Sequence, residues 1–366
     1  MSTPEPALLS SVLERVRQHA FAEIRGGRTI DPQTGHEGVA DLNDPSWRVR
    51  LMAIRDLVRL GDSAATALQP VLRDEDPHVR HVAATALGIL GARIGAADAL
   101  EDRLAKDTNP VVRGQAAVSL GQLGLERVAE RLAGRLDHES DPDVRHRIEL
   151  AIGQLRAGRR STELAGAYAA IDDHAISLVE VGQPAISFEL TDTNGDPWRL
   201  ADFLGRGPVV LIWVFADWCP VCHHEFRDLI DLQDEFEARG ITVATIECHD
   251  RFRCRLMTGQ ERPPSYRGGN LAAVQPQTAY RGRIWWPHLA DPAGAVGAVY
   301  GVDPLEFVVH SEWINRPSTF VIDRDGIVRF AYRGTFWGDR PSIAETLEML
   351  ESQRYDFEHP KRLHAE

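Results

Sequence analysis

The stretch Val209-Val210-Leu211-Ile212-Trp213-Val214-Phe215-Ala216-Asp217-Trp218-Cys219-Pro220-Val221-Cys222 decides how the second half of this chain folds. Its first seven residues are an unbroken apolar run, the pattern of a strand buried on both faces. Residues 223–238 are amphipathic, with Phe226, Leu229, Ile230 and Phe236 on one helical face. A Cys-x-x-Cys at a strand-to-helix junction suits thiol–disulfide exchange. Unpaired N–H groups and the helix dipole favour a thiolate at Cys219, the expected nucleophile. Cys222, one turn on, is the expected resolving partner, with Trp218 flanking the pair and Pro220 fixing the backbone between the sulfurs. A zinc-ligand pair or two inert buried thiols would use the same spacing.

Upstream, the chain repeats. DPSWRVRLMAIRDLVRLG, DPHVRHVAATALGILG, NPVVRGQAAVSLGQLG and DPDVRHRIELAIGQLR align on Arg50, Arg80, Arg113 and Arg145, which lie 30, 33 and 32 residues apart. That period is typical of helical solenoids. Asp-Pro or Asn-Pro at each start predicts a capped helix with proline in its first turn. Second helices are expected at Ala64–Leu72, Ala96–Leu104, Val128–Leu136 and Thr162–Ala170, with a capping helix over Ala7–Ile24 and a polar loop over Gly26–Asn43. These units resemble HEAT-like repeats of the phycobilisome-lyase-like type over about residues 40–160. The resemblance implies a scaffold or partner-binding surface. The His-Glu pairs that hold iron in some relatives are missing from the helix starts, where Arg80-His81-Val82 and Arg145-His146-Arg147 stand; His36-Glu37 and His138-Glu139 fall in loops.

A net charge of −13 argues against a general nucleic-acid binder. No apolar run approaches the roughly 20 residues of a membrane span, and the N-terminus lacks the pattern of a secretory leader. All four cysteines lie between Cys219 and Cys254, so they do not form a disulfide scaffold. A reducing cytoplasm is the expected compartment.

From VGQPAISFELTDTNGDPW through WCPVC to NRPSTFVIDRDGIVRFAYRG, residues 178–352 resemble the thioredoxin-like superfamily, in its redoxin (AhpC/TSA) branches. The expected architecture is therefore an all-α HEAT-like solenoid over 1–175, an α/β thioredoxin-like domain over 176–356, and a polar tail over 357–366. The resemblance implies a cis-proline at Pro317 facing the cysteine pair. Peroxidases of the superfamily use P-x-x-x-T/S-x-x-C with an arginine. Those positions hold Ile212 and Ala216 counted from Cys219, or Phe215 and Cys219 counted from Cys222. Pro317 falls where the arginine is expected, and Arg316 beside it is the candidate substitute for activity or anion contact. The pattern favours a thiol–disulfide oxidoreductase with no cofactor, whose solenoid recruits a protein client or reductase. A thiol peroxidase and a redox- or metal-sensing adaptor are the alternatives.

Cys248 comes directly after the expected strand Ile241–Glu247, at the sheet edge where α/β sites collect. It forms a second redox pair with Cys254, or a soft-metal site with His223, His224, His249 and the first pair, or it and Cys254 are two independent thiols. Between them and the next helix, Arg251–Arg283 holds seven arginines against Glu261 alone. Such a segment either favours thiolates and attracts an anionic partner or pairs with the acidic solenoid. Pro263-Pro264 and Gly268-Gly269 predict an irregular lid, with Trp285, Trp286 and Trp313 burying its base.

Overall fold

The computed structural model describes residues 6–18, 46–91, 95–158, 163–261, 280, 282–302, 304–307, 312–334 and 338–357. The expected loop over Gly26–Asn43, the His36-Glu37 pair, the Pro263-Pro264 and Gly268-Gly269 stretch, the Trp313 side chain and the tail beyond Phe357 lie outside the described residues. The chain divides into two compact units, the first Met1–Ile171 with Pro263–Ala272 and Glu306–Glu312, the second Asp172–Arg262 with Ala273–Leu305 and Trp313–Glu366.

In the first unit, α1 (Pro6–Gln18) precedes four helix pairs: α2 (Ser46–Arg59) and α3 (Asp62–Val71), α4 (Pro77–Leu90) and α5 (Ala96–Lys106), α6 (Pro110–Gln122) and α7 (Val128–Leu136), α8 (Pro142–Arg156) and α9 (Leu164–Ala170). At the three described starts the Asp-Pro and Asn-Pro signals act as read: Asp76, Asn109 and Asp141 each accept N–H groups of the first turn, and proline comes next in each case. The recurrent arginine ties repeats together. Arg80 holds Asp107 through two hydrogen bonds of 2.8 Å, and Arg113 holds Glu139 through two of 3.0 Å. Each acid also accepts a backbone N–H two residues on, Asn109 and Asp141 respectively, at the start of the next repeat. Gly88 and Gly121 let consecutive first helices approach: a Cβ on Gly88 would lie 2.7 Å from Ser119 Cα.

The second unit is built on a seven-stranded mixed sheet. The elements beyond Asp172 are β1 (Glu189–Asp192), β2 (Pro197–Arg199), β3 (Val209–Trp213), α10 (Pro220–Asp231), α11 (Gln233–Ala238), β4 (Thr242–Glu247), α12 (Arg251–Met257), β5 (His288–Ala290), α13 (Ala295–Val299), β6 (Pro304–Phe307), β7 (Glu312–Asn315), β8 (Ser318–Ile322), β9 (Val328–Arg333) and α14 (Ile343–Ser352). Strand order is β2-β1-β5-β4-β3-β8-β9; β6 and β7 pair with each other outside it. β3 runs parallel to β4 and antiparallel to β8, with Trp213 opposite Ser318 and Val209 opposite Ile322. The apolar run of β3 is buried at every position, as a central strand requires. Trp213, Tyr300 and Phe320 meet at centroid distances of 5.1–5.3 Å in the core of this unit.

One expectation changes here. The segment after the motif is two helices, broken at Leu232 by a non-helical backbone. The arginine-rich segment opens with a helix ahead of the Pro263-Pro264 and Gly268-Gly269 stretch on which the lid expectation rests: Asp250 caps α12 by accepting the Arg253 N–H.

Candidate active site

Cys219 is the N-cap of α10 and Pro220 its first residue, so the loop after β3 delivers both cysteines to the helix start. The Phe215–Trp218 edge-to-face pair, at 5.7 Å, packs this loop. Both sulfur-bearing residues are fully buried. The anion-stabilising groups converge on Cys222, not Cys219. Its sulfur accepts the Phe215 N–H at 3.2 Å and the Arg340 Nη2–H at 3.2 Å.

The electrostatics follow that geometry. Burial pushes the Cys219 thiol well above its ordinary range, and its hydrogen bond and proximity to Cys222 push it further. Burial acts the same way on Cys222, but the Cys219 thiol, the Arg340 charge and hydrogen bond, and the Ala216 backbone outweigh it and hold Cys222 well below the ordinary range. The helix start favours Cys219, whereas the buried guanidinium bonds Cys222.

Glu225 completes the constellation. It lies one turn beyond Cys222, buried, with Oε1 2.7 Å from Arg340 Nε. Burial pushes its carboxyl up to about 8 against the pull of Arg340, with the negative charges of Cys222 and Asp228 adding to the rise. One guanidinium thus serves two acids, and the thiolate takes the charge while the carboxyl keeps its proton. Sequence reasoning misses both residues. Glu225 is visible only as an acid three residues from Cys222 on α10, and Arg340 only as an arginine before the capping-box helix α14.

The loop is locked from two other sides. His223 Nε2 faces the Asp217 carbonyl at 2.7 Å, and Nδ1 faces the Tyr280 hydroxyl at 3.1 Å. A carbonyl only accepts, so the proton is on Nε2; burial, the largest influence, lowers this imidazole and keeps it neutral. The Asp217 carboxylate accepts from Arg253 Nε at 2.9 Å.

The remaining expected residues lie apart from this constellation or at its edge. Pro317 is buried at the start of β8, on the sheet edge where β3 ends. Its peptide bond is trans, where the resemblance implied cis; no described peptide bond is cis. Trans is the lower-energy isomer, and in it the Pro317 carbonyl accepts the Gly334 N–H at 2.8 Å, extending the β8–β9 ladder. Arg316 precedes it, half-buried, while the arginine that bonds the sulfur is Arg340. Of the arginine-rich segment, Arg253 pairs with Asp217, Arg255 with Glu261 and Arg283 with Asp231. Trp285 and Trp286 pack on the helices after the motif, against Phe236 and Phe226.

All four cysteines are free thiols. Cys254 points at the Leu289 carbonyl, 3.9 Å away. The expected soft-metal set does not converge: His223 is engaged as above, His224 is exposed beside Asp228, and His249 bonds Glu247 at 2.6 Å. Side chains of metal-ligand type gather instead around Glu247, one set with Cys254 and His288, the other with Asp217 and His249.

Residues 181–331 match the AhpC/TSA family, and residues 39–117 and 96–153 match HEAT repeats. A 1-Cys peroxiredoxin PER1 of Zea mays is 29% identical over 46% of this chain and 72% of its own length. The thiol-disulfide oxidoreductase ResA of Geobacillus thermodenitrificans is 25% identical over 47% of this chain and 79% of its own. Among solved structures, the peroxidoxin BcpB from Mycobacterium tuberculosis aligns with a TM-score of 0.37 at 26% identity, covering 48% of this chain and 99% of that one. The second unit is thus a thioredoxin-like redoxin domain of the AhpC/TSA type, preceded by HEAT repeats.

Proposed function

We propose that the AhpC/TSA-family domain of this chain is a thiol–disulfide oxidoreductase working through a Cys219/Cys222 dithiol–disulfide couple, with Cys222 as the attacking thiolate. The observation that carries this reading is the pair of donors, Phe215 N–H and Arg340 Nη2, on the Cys222 sulfur. In the forward sense the Cys222 thiolate attacks one sulfur of a client disulfide, and the other sulfur leaves as a thiol after taking up a proton. Cys219 then loses its proton and attacks Cys222 in the mixed disulfide, releasing the second client thiol. The client gains two electrons and two protons; the enzyme is left with the Cys219–Cys222 disulfide. The Arg340 charge stabilises the thiolate before attack and the same sulfur as it leaves.

In this reading Pro317 lies on the edge the client chain approaches, and the HEAT repeats recruit the protein client or the reductase that restores the dithiol. Their Arg–acid ties between repeats supply a stiff surface for that task. None of the described helices is long and apolar enough to cross a membrane, and a cytoplasmic reducing pool is the proposed setting. Neither half of the chemistry calls for a cofactor.

A second reading, thiol peroxidase, is favoured by the complete burial of both sulfurs. A hydroperoxide reaches such a thiolate with less opening than a protein disulfide needs. Insulin reduction and hydroperoxide consumption, measured on wild type, Cys219→Ser and Cys222→Ser, separate the two. Exchange requires insulin turnover that both substitutions abolish. Fast peroxide consumption with no insulin turnover and a sulfenate trapped at Cys222 selects the peroxidase instead.

A further inference from the structure

We propose that Glu247, Cys254 and His288 form a zinc site behind the redox motif, distinct from the Cys219–Cys222 couple. Glu247 ends β4, His288 begins β5 beside it, and Cys254 descends from α12. Three separate elements thus bring a carboxylate, a thiol and an imidazole together. Their ligand atoms all lie within 4.8 Å of one another, and all three residues are buried. His288 Nε2 and Glu247 Oε2 are 3.1 Å apart. Ligands about 2.0 Å from one tetrahedral zinc stand about 3.3 Å from each other, so a small outward shift admits the ion.

The surrounding shell is arranged for the purpose. His288 Nδ1 meets Thr245 Oγ1 at 2.8 Å, which leaves Nε2 for the metal. Trp286 Nε1 donates to the same hydroxyl at 3.0 Å and fixes it in place. The hydroxyl can accept from Nδ1–H once Nε2 binds metal, or donate to Nδ1 when it does not. On the other side, His249 Nδ1 bonds Glu247 Oε1 at 2.6 Å, orienting the carboxylate so that Oε2 faces His288. Such outer partners are what hold ligands in natural sites. The mixture of sulfur, nitrogen and oxygen suits zinc rather than magnesium or calcium. Binding expels the Cys254 thiol proton and moves the imidazole proton of His288 to Nδ1, where Thr245 accepts it. Three protein ligands leave the fourth tetrahedral position open.

The test uses the full reduced chain, stripped with chelator, desalted, and titrated with zinc chloride and with cobalt chloride as a spectroscopic probe. One equivalent of either should bind, and cobalt should give a thiolate charge-transfer band in the near ultraviolet. The band should persist in a Cys219→Ser/Cys222→Ser variant and vanish when Cys254→Ser is added. Thr245→Val should weaken zinc affinity about tenfold to a hundredfold through loss of the Nδ1 partner. If Cys254→Ser does not fold, Cys248→Ser in the double variant decides: a retained band supports the site, and its loss overturns it. Absence of stoichiometric metal, or a band that disappears with Cys219 and Cys222, also overturns the proposal. A failure of disulfide exchange would leave these readouts untouched.

Discussion

Arg340 reaches across 118 residues of sequence to place Nη2 3.2 Å from the sulfur of Cys222, inside a site closed to solvent. A guanidinium keeps its charge at any working pH. Desolvated, it acts on a thiol far more strongly than a surface charge does. The helix start favours Cys219, its N-cap; the Arg340 hydrogen bond falls on Cys222.

Replacing Arg340 with Met should therefore move the Cys222 titration upward by a unit or more. Once the pKa passes the working pH, each further unit cuts the thiolate fraction about tenfold. Iodoacetamide alkylation with peptide mass spectrometry across pH 5–10 measures this site by site. An unchanged Cys222 profile would remove Arg340 from the mechanism.

Glu225 makes a prediction of opposite sign. Its folded carboxyl titrates at about 8 because burial outweighs the pull of Arg340, above an unfolded value of about 4.3. Between those values the folded state binds more protons, so stability falls as pH rises. Glu225→Gln should flatten that decline, on the order of a few kcal/mol across the window, in urea unfolding of the reduced protein at pH 5 and pH 8. Equal slopes for wild type and variant would contradict it.

In the repeat array, Asp107→Ala should cost about 3 kcal/mol or more, because it leaves the Arg80 charge buried with its carboxylate gone. The Asp107→Asn variant should lose less, since it keeps an acceptor. Denaturant midpoints read both.

Gly88→Ala tests close helix approach against helix propensity. Propensity favours alanine by roughly 1 kcal/mol, yet the new Cβ would stand 2.7 Å from Ser119 Cα, a backbone atom that cannot swing aside. Net destabilisation is expected. A raised melting temperature would mean that the α4–α6 contact yields freely.

The parts of this molecule that depend on neighbours in sequence are legible in it. The Asp-Pro and Asn-Pro caps, the four helix pairs and the buried strand before Cys219 all act over a few residues. The recurrent arginine shows its period, but its acids, Asp107 and Glu139, stand outside the aligned motif and emerge only when repeats stack. The choice of thiolate is hidden for the same reason. Dipole and helix start are visible locally, whereas burial of Cys219 and the arrival of Arg340 require the whole domain. The trans bond at Pro317 shows the limit of family likeness, since the isomer depends on local packing rather than on the motif.

The antiparallel register of β8 against β3 has a practical side. The strand begins opposite Trp213, just before the cysteine loop, and ends opposite Val209. Its closing turn is braced by Asp323, which accepts the N–H groups of Asp325 and Ile327 at 2.9 Å. Five residues of strand, roughly 17 Å, separate that turn from the motif. A fluorophore or biotin attached at Asp325 can tether the enzyme to a sensor chip while the reactive end of the sheet stays unencumbered for whatever comes to meet it.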